Sequence, residues 1–180
     1  MSKMKTTVLT MVAAIVLIAV AAMGQRVDTN PQLAKKVRHE LVRLPYYGVF
    51  DNLAYSINGG TVTLYGQVVR PTTRSDAASR VKRLSGVSQV INNIQVLPLS
   101  RFDDDLRIRT YRALARTGGL SRYLRGTNPS IHIVVDRSRI TLEGVVDNSG
   151  DRNLANLAAR GVSGSFSVTN NLRVEGENIG

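Results

Sequence analysis

The chain has 180 residues, with 24 Lys or Arg against 13 Asp or Glu, a net charge of +11 at pH 7. That length suits one domain or two small ones. There is no cysteine, which excludes disulfides, thiolate metal sites and cysteine-linked lipid.

Lys3 and Lys5 precede an unbroken apolar run from Val8 to Ala22, followed by Met23-Gly24-Gln25-Arg26. A basic start, a short apolar stretch and small residues at its end are the pattern of a secretory signal, expected over 1–24. Ala19-Val20-Ala21 and Ala22-Met23-Gly24 both offer small-x-small cleavage sites. The alternative is an uncleaved anchor. Either reading places the rest of the chain outside the cytoplasmic membrane, as a periplasmic protein. Losing residues 1–24 removes two lysines and no acid, so +11 becomes +9. A cytoplasmic protein with that charge would point to nucleic acid. For an exported one the partners are anionic phospholipid, lipopolysaccharide or wall polymers.

Asn30-Pro31 reads as a helix cap and first turn. Leu33, Val37, Leu41 and Leu44 then recur at helical spacing until Pro45. Tyr46 to Asn52 is a loop holding several of the chain's few aromatics. Leu53, Tyr55 and Ile57 alternate as a strand, Asn58-Gly59-Gly60 is a hairpin turn, and Thr61 to Val68 is the returning strand. Thr73 and Asp76 have the spacing of a capping box for a second helix, with Ala77, Val81 and Leu84 inward and Ser85-Gly86 as its stop. Val87, Val90, Ile94 and Val96 belong to a third strand.

After Leu99-Ser100-Arg101 the order repeats. Asp103, Asp104 and Asp105 suit a helix N-terminus, and Leu106, Thr110, Ala113, Leu114 and Thr117 line one face. Gly118-Gly119 ends that helix, and a loop longer than its counterpart runs from Leu120 to Ser130. Ile131 to Val135 and Ile140 to Val146 form the second hairpin. Asn148 to Asp151 opens the last helix, with Leu154, Ala158 and Val162 inward. Phe166, Val168, Leu172 and Val174 are assigned to the last strand.

The middle strands match at a fixed offset: Val62-Thr63-Leu64-Tyr65-Gly66 and Ile140-Thr141-Leu142-Glu143-Gly144 are 78 positions apart (144 − 66 = 78). Gly86 maps to Gly164, and Val90-Ile91-Asn92-Asn93 to Val168-Thr169-Asn170-Asn171. The class expected is α+β: two tandem αββαβ domains, each a three-stranded mixed sheet with two helices on one face. Small domains are marginal alone, so the copies should pack together or be short-linked. Gly66, Gly86, Gly144 and Gly164 read as structural, with a helix expected to cross over Gly66 and Gly144.

These strands, with Gly86-Val87 and the Val-x-Asn-Asn-Ile/Leu-x-Val segments at 90–96 and 168–174, resemble a pair of BON domains. The resemblance assigns 30–98 and 103–175 to the two domains and leaves 176–180 as a polar tail. It implies a non-enzymatic protein attached to phospholipid, with roles in envelope integrity or osmotic stress. Ser165 and Arg160-Gly161 depart from the pattern in the second copy.

No catalytic residue, metal, cofactor, small-molecule substrate or nucleic-acid partner is expected. His39 and His132 read as surface imidazoles, since no further ligand recurs at matching positions. The basic residues are the lead. Arg109, Arg112 and Arg116 share a helix face, and the loop beyond adds Arg122, Tyr123, Leu124 and Arg125. Arginine beside tyrosine and leucine suits a bilayer interface. These seven residues are the candidate lipid-binding set, with anionic phospholipid as partner. The rival reading is a module for envelope proteins or wall polymer.

Overall fold

A computed structural model describes residues 30–126 and 128–177. The expected export signal lies outside the described residues. Among those described, no helix is long and apolar enough to cross a membrane.

Helix α1 spans Pro31–Val42, capped by the Asn30 side chain, which accepts from the amides of Gln32 and Leu33 at 3.1 and 3.3 Å. Strands β1 (Asn52–Asn58) and β2 (Thr61–Val68) form the hairpin. Helix α2 covers Pro71–Lys82. The third strand is broken into β3 (Gln89–Asn92) and β4 (Gln95–Val96), both parallel to β2. The break has a local cause: the Asn92 side chain accepts from the Ile94 amide at 3.2 Å and turns the backbone away from the ladder.

The second copy repeats this with α3 (Arg101–Arg116), a 3₁₀ segment Leu120–Leu124, β5 (Ile131–Asp136), β6 (Arg139–Val146), α4 (Ser149–Arg160), β7 (Ser167–Asn170) and β8 (Arg173–Val174). Here too β5 is antiparallel to β6, and β7 and β8 are parallel to it. Both sheets bury one face, and β5 of the second is buried on both. Val62, Leu64 and Val68 in one copy, and Ile140, Leu142 and Val146 in the other, are buried in the two cores. Each contributes about 2 kcal/mol by leaving water.

Four local expectations are corrected. Thr73 is no cap: α2 starts at Pro71, and the buried Thr73 hydroxyl has no hydrogen-bond partner among the described residues. The last helix is phased one residue on, burying Ala155 and Ala159 and leaving Leu154 and Leu157 exposed. Phe166 lies ahead of β7 and is 77% exposed, so it is not a core strand residue. The glycines of the middle strands are required by the neighbouring strand, not by a helix. A Cβ at Gly66 would strike the Asn52 carbonyl oxygen, and one at Gly144 the Ser130 carbonyl oxygen; φ is +111° and +119°.

The copies also pack together. The loop before β1 reaches across to β5, where the Ile133 amide donates to the Val49 carbonyl at 2.7 Å. Phe50 meets Tyr111 edge-on at 6.3 Å between centroids. His132, expected at the surface, is buried in this junction. Its Nδ1 lies 3.3 Å from the Gly48 carbonyl, which can only accept, so Nδ1 carries the proton. Nε2 is then free to accept from the Tyr47 hydroxyl, 3.5 Å away. Burial lowers the His132 pKa, and burial together with the Asp51 carboxylate pushes Tyr47 up to about 12. Asp51 folds the loop into shape, accepting from the Val69 and Gly48 amides at 2.8 and 3.2 Å.

Candidate functional site

Helix α3 is amphipathic because Leu106, Thr110 and Leu114 recur at intervals of four and are buried. That registry fixes the opposite residues. Asp103 is more than a helix-start acid: it is buried, and its carboxylate accepts from the amides of Arg137 and Ser138 at 3.0 and 2.9 Å. It thereby holds the β5–β6 turn, whose two residues have positive φ. Arg107 is also buried, donating to the Val135 carbonyl at 2.7 Å and to Asp104. Both acts of α3 were hidden in the sequence, where one Asp or Arg looks like another.

Arg109, Arg112 and Arg116 come together as the helix spacing requires. They line an open groove of about 360 Å³ with Ala113 and with Gly161, Val162 and Ser163, the segment leaving α4. Arg109 is partly committed, donating to the Ser163 carbonyl at 2.6 Å. Arg112 and Arg116 are exposed. Among the described residues, none of the three lies within ion-pair distance of a carboxylate.

The loop residues are not part of this groove. Tyr123 and Leu124 are each 5% exposed and belong to the core, so their side chains cannot lie at a bilayer interface in this fold. The Tyr123 hydroxyl donates to Asp151 at 2.7 Å and accepts from the Asp147 amide at 3.1 Å. Burial, then the bond to Asp151, raises its pKa. Arg122 donates to the same Asp151 oxygen at 2.7 Å and reaches Asp147 at 3.3 Å. The loop's apolar spacing (Leu120, Tyr123, Leu124) was the available sign that it packs inward. Arg125 is exposed, with one nitrogen 3.3 Å from the Ser121 hydroxyl.

Two phenylalanines were missed. Phe102 is 49% exposed beside the groove: its ring and the Arg109 guanidinium both lie against Gly164, whose φ of +86° and lack of a side chain permit that approach. Phe166, two residues on, carries the Arg139 guanidinium 5.2 Å from its ring centre. A second groove was missed as well. Lys36 and His39 of α1, with Arg43 just past its end, occupy the positions of the three arginines (109 − 36 = 73, and 114 − 41 = 73 for the buried leucines). A groove of about 320 Å³ lies there, lined by Lys35, Lys36, His39, Glu40 and Leu84 among others. Glu40 stands in it where the second copy has Ala113, and pairs with Arg80 at 3.6 Å. The second copy's groove lacks that carboxylate.

Among the described residues no group of three His, Asp or Glu side chains is placed to hold a metal. The sequence profile described as "BON domain" matches residues 29–98 and again 103–176. The chain belongs to the BON domain family. This is a family of non-catalytic binding domains, associated with phospholipid binding and with osmotic-stress proteins. No curated protein matches the sequence. Among solved structures the chain is similar to the C-terminal domain of CdsD, a structural protein of the type III secretion system of Chlamydia trachomatis. Identity is 13% over 79% of this chain and 96% of that one, with a TM-score of 0.29. A second CdsD structure matches at 12% identity over 78% and 91%, again with a TM-score of 0.29. Superpositions of that quality carry no argument about function.

Proposed function

We propose that this double-BON protein binds anionic phospholipid surfaces peripherally, through the α3 groove of its second copy, and supports the cell envelope under osmotic stress. The observation that carries the reading is the pair Arg112 and Arg116: exposed, unpaired with acid among the described residues, and set beside a groove. A guanidinium fork matches a phosphate in two hydrogen bonds. Phe102 beside that groove, and the exposed Phe166 elsewhere on the same copy, offer rings of the kind that settle at headgroup depth. Arg125 adds charge near the same copy, whereas Tyr123, Leu124 and Arg122 serve it by fixing the loop. The signal-like sequence at 1–24 supports a periplasmic location.

The test is flotation of the purified protein with vesicles of zwitterionic lipid alone and with about one-third anionic lipid. Recovery should require the anionic lipid and fall as salt rises, because screening weakens surface charge contacts. Equal recovery on both vesicles, indifferent to salt, overturns the proposal. Capture of envelope proteins or wall polymer without any lipid binding would instead favour an interaction module.

A further inference from the structure

The outer face of the first copy's sheet is exposed at Ala54, Ser56, Tyr65 and Ile91. On it, Ala54 and Ser56 of β1, Thr63, Tyr65 and Gln67 of β2 and Ile91 of β3 stand side by side, as the registers Ala54 to Tyr65, Ser56 to Thr63 and Thr63 to Ile91 place them. Tyr65 is 41% exposed and Ile91 40%. The outward positions of all four strands hold not one Lys, Arg, Asp, Glu or His, in a chain that is 21% charged. The second copy shows what the same positions look like otherwise. There Thr61 is replaced by Arg139, Tyr65 by Glu143 and Gln95 by Arg173, while the counterparts of Ala54 and Ser56 are His132 and Val134. Those last two are buried, His132 against the first copy's Tyr47 and Gly48. The fold therefore already uses this surface of the repeat for a contact between copies.

We infer that the uncharged face of the first copy is where a second molecule of this protein docks, face to face. Three physical points select that occupant. A chain of net charge +11 repels itself wherever its basic residues meet, and this face is where two molecules can approach without like charges opposed. Hydroxyl and carboxamide groups both donate and accept hydrogen bonds, so a two-fold pair can satisfy itself. Tyr65 on the central strand β2 and Ile91 on the edge strand β3 add an aromatic and an aliphatic side chain among uncharged polar groups, a composition found at interfaces. The area sets the strength. Three strands about 4.8 Å apart and eight residues of about 3.3 Å span roughly 380 Å² of sheet, less than half of the ~800 Å² per partner in a standard stable interface. The pair is accordingly weak and reversible. It shares no residue with the α3 groove, so the two surfaces are not in competition.

Sedimentation equilibrium at protein concentrations from about 20 µM to about 1 mM tests this, since interfaces of this size are transient. The mean mass should climb from one chain toward two, and climb further as salt is raised, because salt screens the residual repulsion. Lipid binding should respond to salt in the opposite direction. Thr63→Lys should leave the protein monomeric over the whole range, as should Thr63→Glu. An equal mixture of the two variants should associate at least tenfold more tightly than either alone. Rescue in the mixture is possible only if both variants fold, and their melting temperatures provide the direct check. A wild type that stays monomeric at every salt concentration, or a Thr63→Lys variant that dimerises like wild type, overturns the inference. So does a monomer retained on a neutral polysaccharide through Tyr65, which would transfer the face to a sugar partner.

Discussion

Replacing Arg112 and Arg116 together by serine separates lipid attachment from folding. Both side chains are exposed, and neither donates a side-chain hydrogen bond or ion pair among the described residues, so the fold uses their charge only weakly, through Arg116 in the last turn of α3. Each basic group close to an anionic surface contributes about 1 kcal/mol, roughly fivefold in affinity, so the double variant should bind vesicles about 30-fold more weakly. Its salt dependence should be shallower, and its melting temperature should stay within about 2 °C of wild type, as for surface changes away from special contacts. Arg109→Ser is the informative companion. It removes the bond to the Ser163 carbonyl, which ties α3 to the segment after α4, so it should weaken binding and also lower the melting temperature. Titrating anionic vesicles into the protein, with binding read by tryptophan-free methods such as co-sedimentation, gives the affinities. Binding of the double variant within threefold of wild type refutes the assignment of the groove. A large fall in melting temperature refutes the claim that the fold uses these arginines only weakly.

Gly144→Ala should destabilise the second copy by about 3 kcal/mol, since a Cβ would meet the Ser130 carbonyl at a φ of +119° and overpacking alone costs about 1–3 kcal/mol; thermal unfolding showing a loss below about 1 kcal/mol would contradict this. Tyr123→Phe leaves the ring in the core but deprives Asp151 and the Asp147 amide of a partner, an expected loss of about 1–3 kcal/mol with vesicle binding preserved. The junction gives a pH signature. His132 has a lowered pKa because it is buried, so the unfolded chain takes up its proton first, and stability should fall as pH drops below about 6.5, the unfolded value. Denaturant unfolding at pH 7.5 and 5.5 should show that slope in wild type and not in His132→Asn. Asp51 acts with the opposite sign lower down: burial raises its pKa, so its unfavourable contribution is relieved as pH falls through its folded value.

Periodicity and punctuation made most of the fold legible. Alternating Val62, Leu64 and Val68, capping Asn30 and Asn148, and the 78-residue offset determine which segments are strands, where helices begin and that there are two copies, because these are local preferences written residue by residue. The helix spacing likewise brings Arg109, Arg112 and Arg116 to one face without any tertiary help. What neighbours do to a residue is not local. Tyr123 and Leu124 look like loop residues until the core closes over them. His132 looks like a surface imidazole until the Tyr47 loop crosses to β5. Gly66 and Gly144 announce a close approach, but only the strand pairing shows that it comes from a carbonyl oxygen across the hairpin. The neutral face of β1 to β4 and the exposure of Phe102 and Phe166 belong to the same class, since burial and charge context are properties of surfaces assembled from distant segments, and no single segment carries them.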